Sequence, residues 1–200
     1  MKKQVLVIHG AATFLTYEDF LQFLRTTGEV NPAYNKAKRW KSSLPEALGD
    51  AYEVIAPSMP NKQNAKYEEW KIWFERHIPY LTDGVLLVGH SMGGIFLAKY
   101  LSENTFARKV GGTFLVAAPY DSVEKEPLGD FALSQPLDSF AAQGGPIHLY
   151  HSADDPIVDF AELAKYQKAL PSAKVTTFTD RGHFDQETFP EIVADIKALA

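Results

Sequence analysis

The stretch GVLLVGHSMGGIFLAKYL, residues 84–101, joins an apolar run to a helical pattern through the hexapeptide GHSMGG. The run VLLVG is typical of a buried parallel strand, and IFLAKYL is typical of a helix. A G-x-S-x-G motif between a strand and a helix is the pattern of a nucleophile elbow, in which a strained turn presents the serine side chain. The motif therefore indicates Ser91 as a nucleophile, and the alternative is a small residue in a tight glycine turn.

Five further short apolar or β-branched segments recur along the chain, and most are separated by amphipathic helical patterns. They are residues 5–10, 52–57, 112–119, 146–152 and 174–179. This alternation predicts the α/β class, with a three-layer α/β/α sandwich around a truncated, mainly parallel sheet of about six strands. No repeat or linker interrupts residues 1–200, so we predict a single domain. The long connection 120–145 has no strong period and is a candidate for a short lid segment.

The composition argues against several classes of protein. The 200 residues include no cysteine, which excludes disulfides, thiolate zinc sites and cysteine nucleophiles. No apolar run approaches the roughly 20 residues that cross a bilayer, so we expect no membrane partner. The net charge of −5 argues against nucleic acid as a partner. We interpret the one basic cluster, KAKRWK at 36–41, as a solvated helix face.

The amino-terminal sequence MKKQVLVIHGA has two lysines and then four apolar residues before His9. That run is too short for the apolar region of a signal peptide and is better interpreted as a first buried strand. We therefore expect a cytoplasmic location.

A serine hydroxyl needs a base, and that base needs an orienting acid. The predicted fifth strand ends in HSADDPIVD, and the sixth is followed by DRGHFD. These two loops supply an acid and a histidine, so the three residues follow the chain order serine, acid, histidine. The histidine is His183, after the last strand and before the last helix. The joint match is stronger evidence than the hexapeptide alone.

The acid is one of two adjacent aspartates, Asp154 and Asp155. Proline fixes the turn after Asp155, and Ile157 and Val158 can anchor that turn to the core. We therefore favour Asp155 as the partner of the histidine. Asp154 is then interpreted as a turn-capping side chain.

Acyl transfer also needs N–H donors aimed at the developing oxyanion. We predict the backbone N–H groups of Met92, directly after the serine, and of Ala11, in the loop HGAAT after the first strand. Small to medium uncharged acyl esters are the predicted small-molecule substrates, and the sequence does not separate an esterase from a thioesterase, amidase, lactonase or acyltransferase. The candidate substrate-binding side chains are Phe14, Leu15, Tyr120, Phe131 and Leu133. No histidine pair has convincing metal-ligand spacing, so we predict no metal and no cofactor.

With these residues identified, the chain resembles the α/β-hydrolase superfamily along nearly its whole length. It is similar to the small serine hydrolases of the YdeN-like group, which includes the retinoblastoma-binding serine hydrolase. The shared segments are GHSMG, SADDP and FTDRGHF followed by TFPEIVADIKAL. The resemblance implies a catalytic triad of Ser91, Asp155 and His183, and a compact hydrolase that lacks the superfamily's leading hairpin strands. The additional stretch 31–48 departs from the family pattern and leaves the shape of the pocket entrance open.

Two other classes of function are alternatives to an esterase. A non-catalytic protein-binding module that retains the hydrolase fold is one alternative, because a fold carries no function by itself. The competent residue at every triad and oxyanion position favours catalysis over that alternative. A Rossmann-type nucleotide-binding protein is the other, and HGAATF after the first strand, in place of G-x-G-x-x-G, argues against it.

Overall fold

The computed structural model describes residues 2–26, 38–121, 127–134 and 136–199. The six strands of this part of the chain are β1 (Lys3–Ile8), β2 (Tyr52–Ile55), β3 (Val85–His90), β4 (Val110–Val116), β5 (Ile147–Ser152) and β6 (Lys174–Phe178). Its α-helices are α1 (Tyr17–Thr26), α2 (Trp40–Leu48), α3 (Tyr67–Glu75), α4 (Met92–Glu103), α5 (Asp138–Gln143), α6 (Ala161–Ala169) and α7 (Pro190–Ala198). Each strand coincides with one of the six segments that the sequence predicts.

The strands form one sheet in the order β2-β1-β3-β4-β5-β6, and every neighbouring pair is parallel. From β1 the chain first crosses to β2 at one edge and then returns to β3 on the other side of β1. Loops that leave neighbouring strands in opposite directions open a crevice at the carboxyl ends of those strands. The switch between β1 and β3 is therefore the position in this sheet where a site is expected, and residue 91 follows β3 directly.

Side chains of the strands alternate between two apolar cores, one on each face of the sheet. On one face, Leu6, Leu87 and Leu115 pack with residues of α3, α4, α5 and α6. On the other face, Val5 and Val88 pack with residues of α2 and α7. Helices thus cover both faces, which confirms the predicted three-layer α/β/α sandwich.

Two long connections interrupt the regular alternation of strands and helices. After β1, residues 31–37 lie outside the described residues, and α2 follows with Trp40, Leu44 and Leu48 buried against the sheet. After β4, residues 122–126 and 135 of the candidate lid also lie outside the described part. The described part of 120–145 buries Phe131 and Phe140 in the core. No helix within the described ranges combines the length and apolar character that crossing a membrane requires.

Candidate active site

Ser91 occupies a strained turn between β3 and α4. Its backbone has φ 54° and ψ −124°, a conformation that residues with a side chain rarely adopt. A Cβ on Gly89 would lie 2.4 Å from the carbonyl oxygen of Gly93, and a Cβ on Gly93 would lie 2.2 Å from the carbonyl oxygen of Ile8. Both glycines are therefore required for the close approach of α4 to the strands. The resulting turn has the shape that the G-x-S-x-G motif predicts.

His183 and Asp155 form a direct hydrogen-bonded pair. The ring nitrogen Nδ1 of His183 lies 2.8 Å from Oδ2 of Asp155, whose side chain is fully buried. A carboxylate only accepts hydrogen bonds, so Nδ1 carries the proton and Nε2 of the neutral ring has a free lone pair. Oδ1 of Asp155 also accepts the backbone N–H groups of Ile157 and Val158, at 2.9 and 3.0 Å. The turn that follows the aspartate thus fixes the carboxylate that orients the imidazole.

Asp154 takes a different role from its neighbour, as the sequence predicts for a turn-capping side chain. Its Oδ1 accepts the Ser152 hydroxyl at 2.5 Å and the backbone N–H of Gly182 at 2.9 Å. The hydrogen bond from Ser152 is the main reason that the pKa of Asp154 lies below its usual value. Asp154 therefore ties the β5 loop to the residue before His183, while Asp155 contacts the imidazole itself.

Further hydrogen bonds hold the residues that follow Gly182. The carbonyl of His183 accepts a hydrogen bond of 2.8 Å from Nε2 of His90. The carbonyl of the next residue, Phe184, accepts the indole N–H of Trp40 at 2.9 Å. This loop is consequently fixed by β3, by α2 and by the β5 loop at successive positions.

His90 is itself held by a lysine of α2. The Lys41 ammonium lies 3.0 Å from Nδ1 of His90 and, as a group that only donates, makes that nitrogen an acceptor. Nε2 of His90 then carries the proton that reaches the His183 carbonyl. Burial first, and the positive charge of Lys41 second, hold the pKa of His90 well below its ordinary value, so this ring is neutral.

Two backbone N–H groups of the loops around Ser91 have no acceptor among the described residues. The N–H groups of Ala11, which follows β1, and of Met92, the first residue of α4, donate to no described residue. By contrast, Ala12 is engaged on both sides, since its N–H donates to Lys62 and its carbonyl accepts from Ala65. Met92 also lies at a helix N-terminus, where the helix dipole favours negative charge. Both N–H groups are thus uncommitted within the described chain, and their role as oxyanion donors stays a prediction.

Ser91, His183 and Ala11 line one cavity of about 370 Å³ at the carboxyl ends of β1 and β3. The Ser91 hydroxyl makes no hydrogen bond to another residue of the described chain. Catalytic hydrogen bonds are often formed only when substrate is bound, so this geometry is compatible with transfer of the serine proton to His183. A larger, mostly apolar groove of about 580 Å³ lies between α2 and α7 and contains none of these residues.

The structure does not bring the five candidate substrate-binding residues into this cavity. Phe131 and Leu133 are buried in the core, and Tyr120 packs on Tyr166. Phe14 packs on the rings of α1, and the side chain of Leu15 is 77% exposed. An apolar residue in a loop can pack in the core as readily as it can line a pocket. The sequence alone does not distinguish these two positions.

Sequence reasoning also missed residues that do line the cavity. Arg39 and Lys41 belong to the basic cluster 36–41, for which the sequence predicts a solvated helix face. The structure instead places both of them in the cavity wall, together with Lys62. The available signal was the spacing of Trp40, Leu44 and Leu48 at i, i+4 and i+8, which marks a helix with one buried face. A basic residue next to the first of these positions lies close to the sheet rather than in bulk water.

Comparisons with known proteins identify the family of this chain. A family model described as serine hydrolase matches residues 32–191. The serine hydrolase RBBP9 of Rattus norvegicus is 26% identical over 151 residues, which are 74% of this chain and 78% of that protein.

Two solved structures show the same fold. The ydeN gene product of B. subtilis has a TM-score of 0.77 and 20% identity, with 99% of this chain and 98% of that chain covered. The meta-cleavage product hydrolase of Pseudomonas fluorescens has a TM-score of 0.64 and 14% identity, with 98% and 90% covered.

Proposed function

This chain belongs to the serine hydrolase family, and from that premise we propose that it cleaves small to medium acyl esters through Ser91, His183 and Asp155. One observation carries the proposal: a serine in a strained turn shares a cavity with a histidine whose ring is bonded to a buried carboxylate. These are the three roles that nucleophilic acyl transfer requires, namely nucleophile, base and orienting acid.

In the first step, the Ser91 oxygen attacks the acyl carbon while Nε2 of His183 takes the hydroxyl proton. The C–O π electrons move onto the carbonyl oxygen, which becomes a tetrahedral oxyanion. The N–H groups of Ala11 and Met92 then donate to this oxyanion, because neither is committed to another described acceptor. Collapse of the intermediate expels the alcohol, which receives the proton from His183, and leaves an acyl-enzyme.

In the second step, water attacks the acyl-enzyme and His183 takes one of its protons. The serine leaves with that proton, and the carboxylic acid is released. Asp155 fixes the tautomer of His183 and stabilises the imidazolium that forms in each step.

The direct test is intact mass after treatment with a fluorophosphonate, on the wild type and on Ser91→Ala. We expect one adduct on the wild type, no adduct on the variant, and loss of nearly all turnover of a p-nitrophenyl ester in the variant. A folded wild type that takes no adduct and hydrolyses no ester would contradict the proposal and favour a non-catalytic binding module.

The adjacent aspartates provide a matched pair for the acid. Asp155→Asn should lower kcat by about 10³-fold or more, because an amide stabilises the wrong tautomer of His183 and cannot stabilise its charged form. Asp154→Asn keeps an acceptor oxygen for the Gly182 N–H and should have a far smaller effect. Equal losses in the two variants would mean that both residues act only by holding the loop.

A further inference from the structure

We infer that the substrate of this cavity is an acyl ester that carries a carboxylate, and that Lys41, with Lys62 beside it, binds that carboxylate. The inference rests on the proposed function, since it names the class of ester that the same site takes. It departs from the uncharged esters that the sequence predicts, for reasons of charge and burial within the cavity.

The cavity is positively charged although the chain is acidic. Among the described lining residues are the cations Arg39, Lys41 and Lys62 and a single carboxylate, Asp185. That carboxylate is already bonded to Arg39. The formal net charge of the whole chain is −5, so the cations of this wall are a local exception to its composition. A cleft lined by one sign of charge concentrates ligands of the opposite sign.

Lys41 is the cation best placed to bind an anion. Burial lowers its pKa to about 8, partly offset by Asp185, so it is still an ammonium at neutral pH. No carboxylate in the described ranges forms a salt bridge with it. Its hydrogen bond to His90 uses one of three N–H donors, which leaves two for a ligand. A partly buried ammonium without an ionised partner destabilises the protein, and a bound carboxylate would reduce that cost.

The position of Lys41 relative to the nucleophile limits the length of the ester. Lys41 contacts His90, which directly precedes Ser91 and whose ring centroid lies 4.8 Å from that of His183. A carboxylate on Lys41 and a carbonyl carbon on Ser91 are therefore separated by the width of one small cavity. Monoesters of short dicarboxylic acids, such as succinate, have this combination of charge and size.

The test compares two p-nitrophenyl esters, the hemisuccinate and its methyl ester, which differ by one negative charge at nearly the same length. The wild type should have a kcat/KM at least about tenfold higher for the hemisuccinate, as one charge-assisted hydrogen bond in a partly buried site provides. Added salt should lower kcat/KM for the hemisuccinate and leave that for the methyl ester unchanged. An equal kcat/KM for the two esters in the wild type would overturn the inference.

Variants assign the preference to particular lysines. Lys41→Met should lower the ratio of the two kcat/KM values by about tenfold. Lys62→Met should lower it less, since Lys62 is exposed. Lys38→Met is the matched control, because Lys38 is an exposed lysine outside the cavity wall and should leave both values unchanged. A Lys41→Met variant that loses both activities equally would instead show that Lys41 acts only by positioning His90.

The outcomes separate this inference from the proposed function. If the methyl ester is hydrolysed and Ser91 takes the fluorophosphonate, but the charged ester has no advantage, only the carboxylate preference is wrong. If neither ester is hydrolysed and no adduct forms, the proposed function fails. The salt dependence of the wild type needs no variant, so the inference stays testable even if Lys41→Met does not fold.

Discussion

Two long connections of this fold contribute differently to the molecule. One is segment 38–48, which follows β1, and the other is the described part of 127–145, which follows β4. The first places Arg39 and Lys41 in the wall of the cavity. The second, which contains the more apolar side chains, buries Phe131 and Leu133 in the core. The difference is the reverse of the sequence-based prediction, in which apolar side chains of the second connection bind the substrate and the basic residues of the first face solvent. It follows that substitutions in the two segments should affect different properties.

The largest effect is expected from Phe131→Ala. This side chain is fully buried, and its ring packs edge-on against Tyr67 and Trp70. Its removal should lower the free energy of unfolding by about 3–5 kcal/mol, measured by urea denaturation. The kcat/KM of the folded fraction for the methyl ester should stay close to that of the wild type.

Leu15→Ala is the matched control for that variant. Leu15 is 77% exposed, so its truncation should change stability by no more than about 0.5 kcal/mol. A large loss of activity in folded Phe131→Ala would contradict the assignment of this segment to the core and support a lid.

The second largest effect is a pH dependence of stability that comes from the partly buried charge of Lys41. Burial lowers its folded-state pKa from 10.5 to about 8, while Asp185 opposes the shift and Arg39 reinforces it. The unfolded chain therefore binds more protons between these values, and stability attributable to Lys41 rises with pH. Relative to Lys41→Met, the wild type should gain about 2 kcal/mol between pH 7 and pH 10.

Urea denaturation of both proteins at the two pH values measures this gain, because other titrating groups contribute equally to each. Lys38→Met, at an exposed position, should show no such pH dependence relative to the wild type. The absence of any difference for Lys41→Met would mean that the ammonium is solvated and would weaken the case for a carboxylate partner.

A smaller effect should follow from Trp40→Phe, which tests whether segment 38–48 supports the loop that carries His183. The variant keeps most of the buried ring but removes the N–H that donates to the Phe184 carbonyl at 2.9 Å. We expect a loss of about 1.5 kcal/mol in stability, since the buried carbonyl loses its partner. Because that carbonyl lies one residue after His183, kcat should fall severalfold while KM changes little. A loss of stability without a change in kcat would limit α2 to a packing role.

The sequence predicts the features of this molecule that are determined by residues close to one another in the chain. Apolar or β-branched runs predicted all six strands, and the four inner strands are buried on both sides because helices cover both faces of the sheet. The glycines of GHSMGG predicted the strained turn at Ser91, and the D-D-P turn favoured the aspartate that contacts His183. In each of these cases the constraint lies within a few residues of the position that it determines.

The parts that sequence did not predict depend on contacts between distant segments. Lys41 contacts His90, which is 49 positions away, and that contact changes it from a surface residue to a cavity residue. The basic run 36–41 does not indicate which distant residue Lys41 will contact. In the same way, the ring of Phe131 packs on Trp70 of α3, so this side chain lies in the core and does not line the cavity.

The smallest effect is expected at the rim of the cavity, from Asp185→Asn. The ion pair between Arg39 and Asp185 is exposed, with side chains 35% and 52% accessible, so its loss should change stability by at most about 1 kcal/mol. The same substitution removes the one carboxylate among the described lining residues. The cavity then becomes more positive, and kcat/KM for the hemisuccinate should rise about threefold, with no change for the methyl ester. A fall in kcat/KM for the charged ester would mean that Asp185 holds Arg39 in a productive position, and the rim would then act by geometry and not by charge.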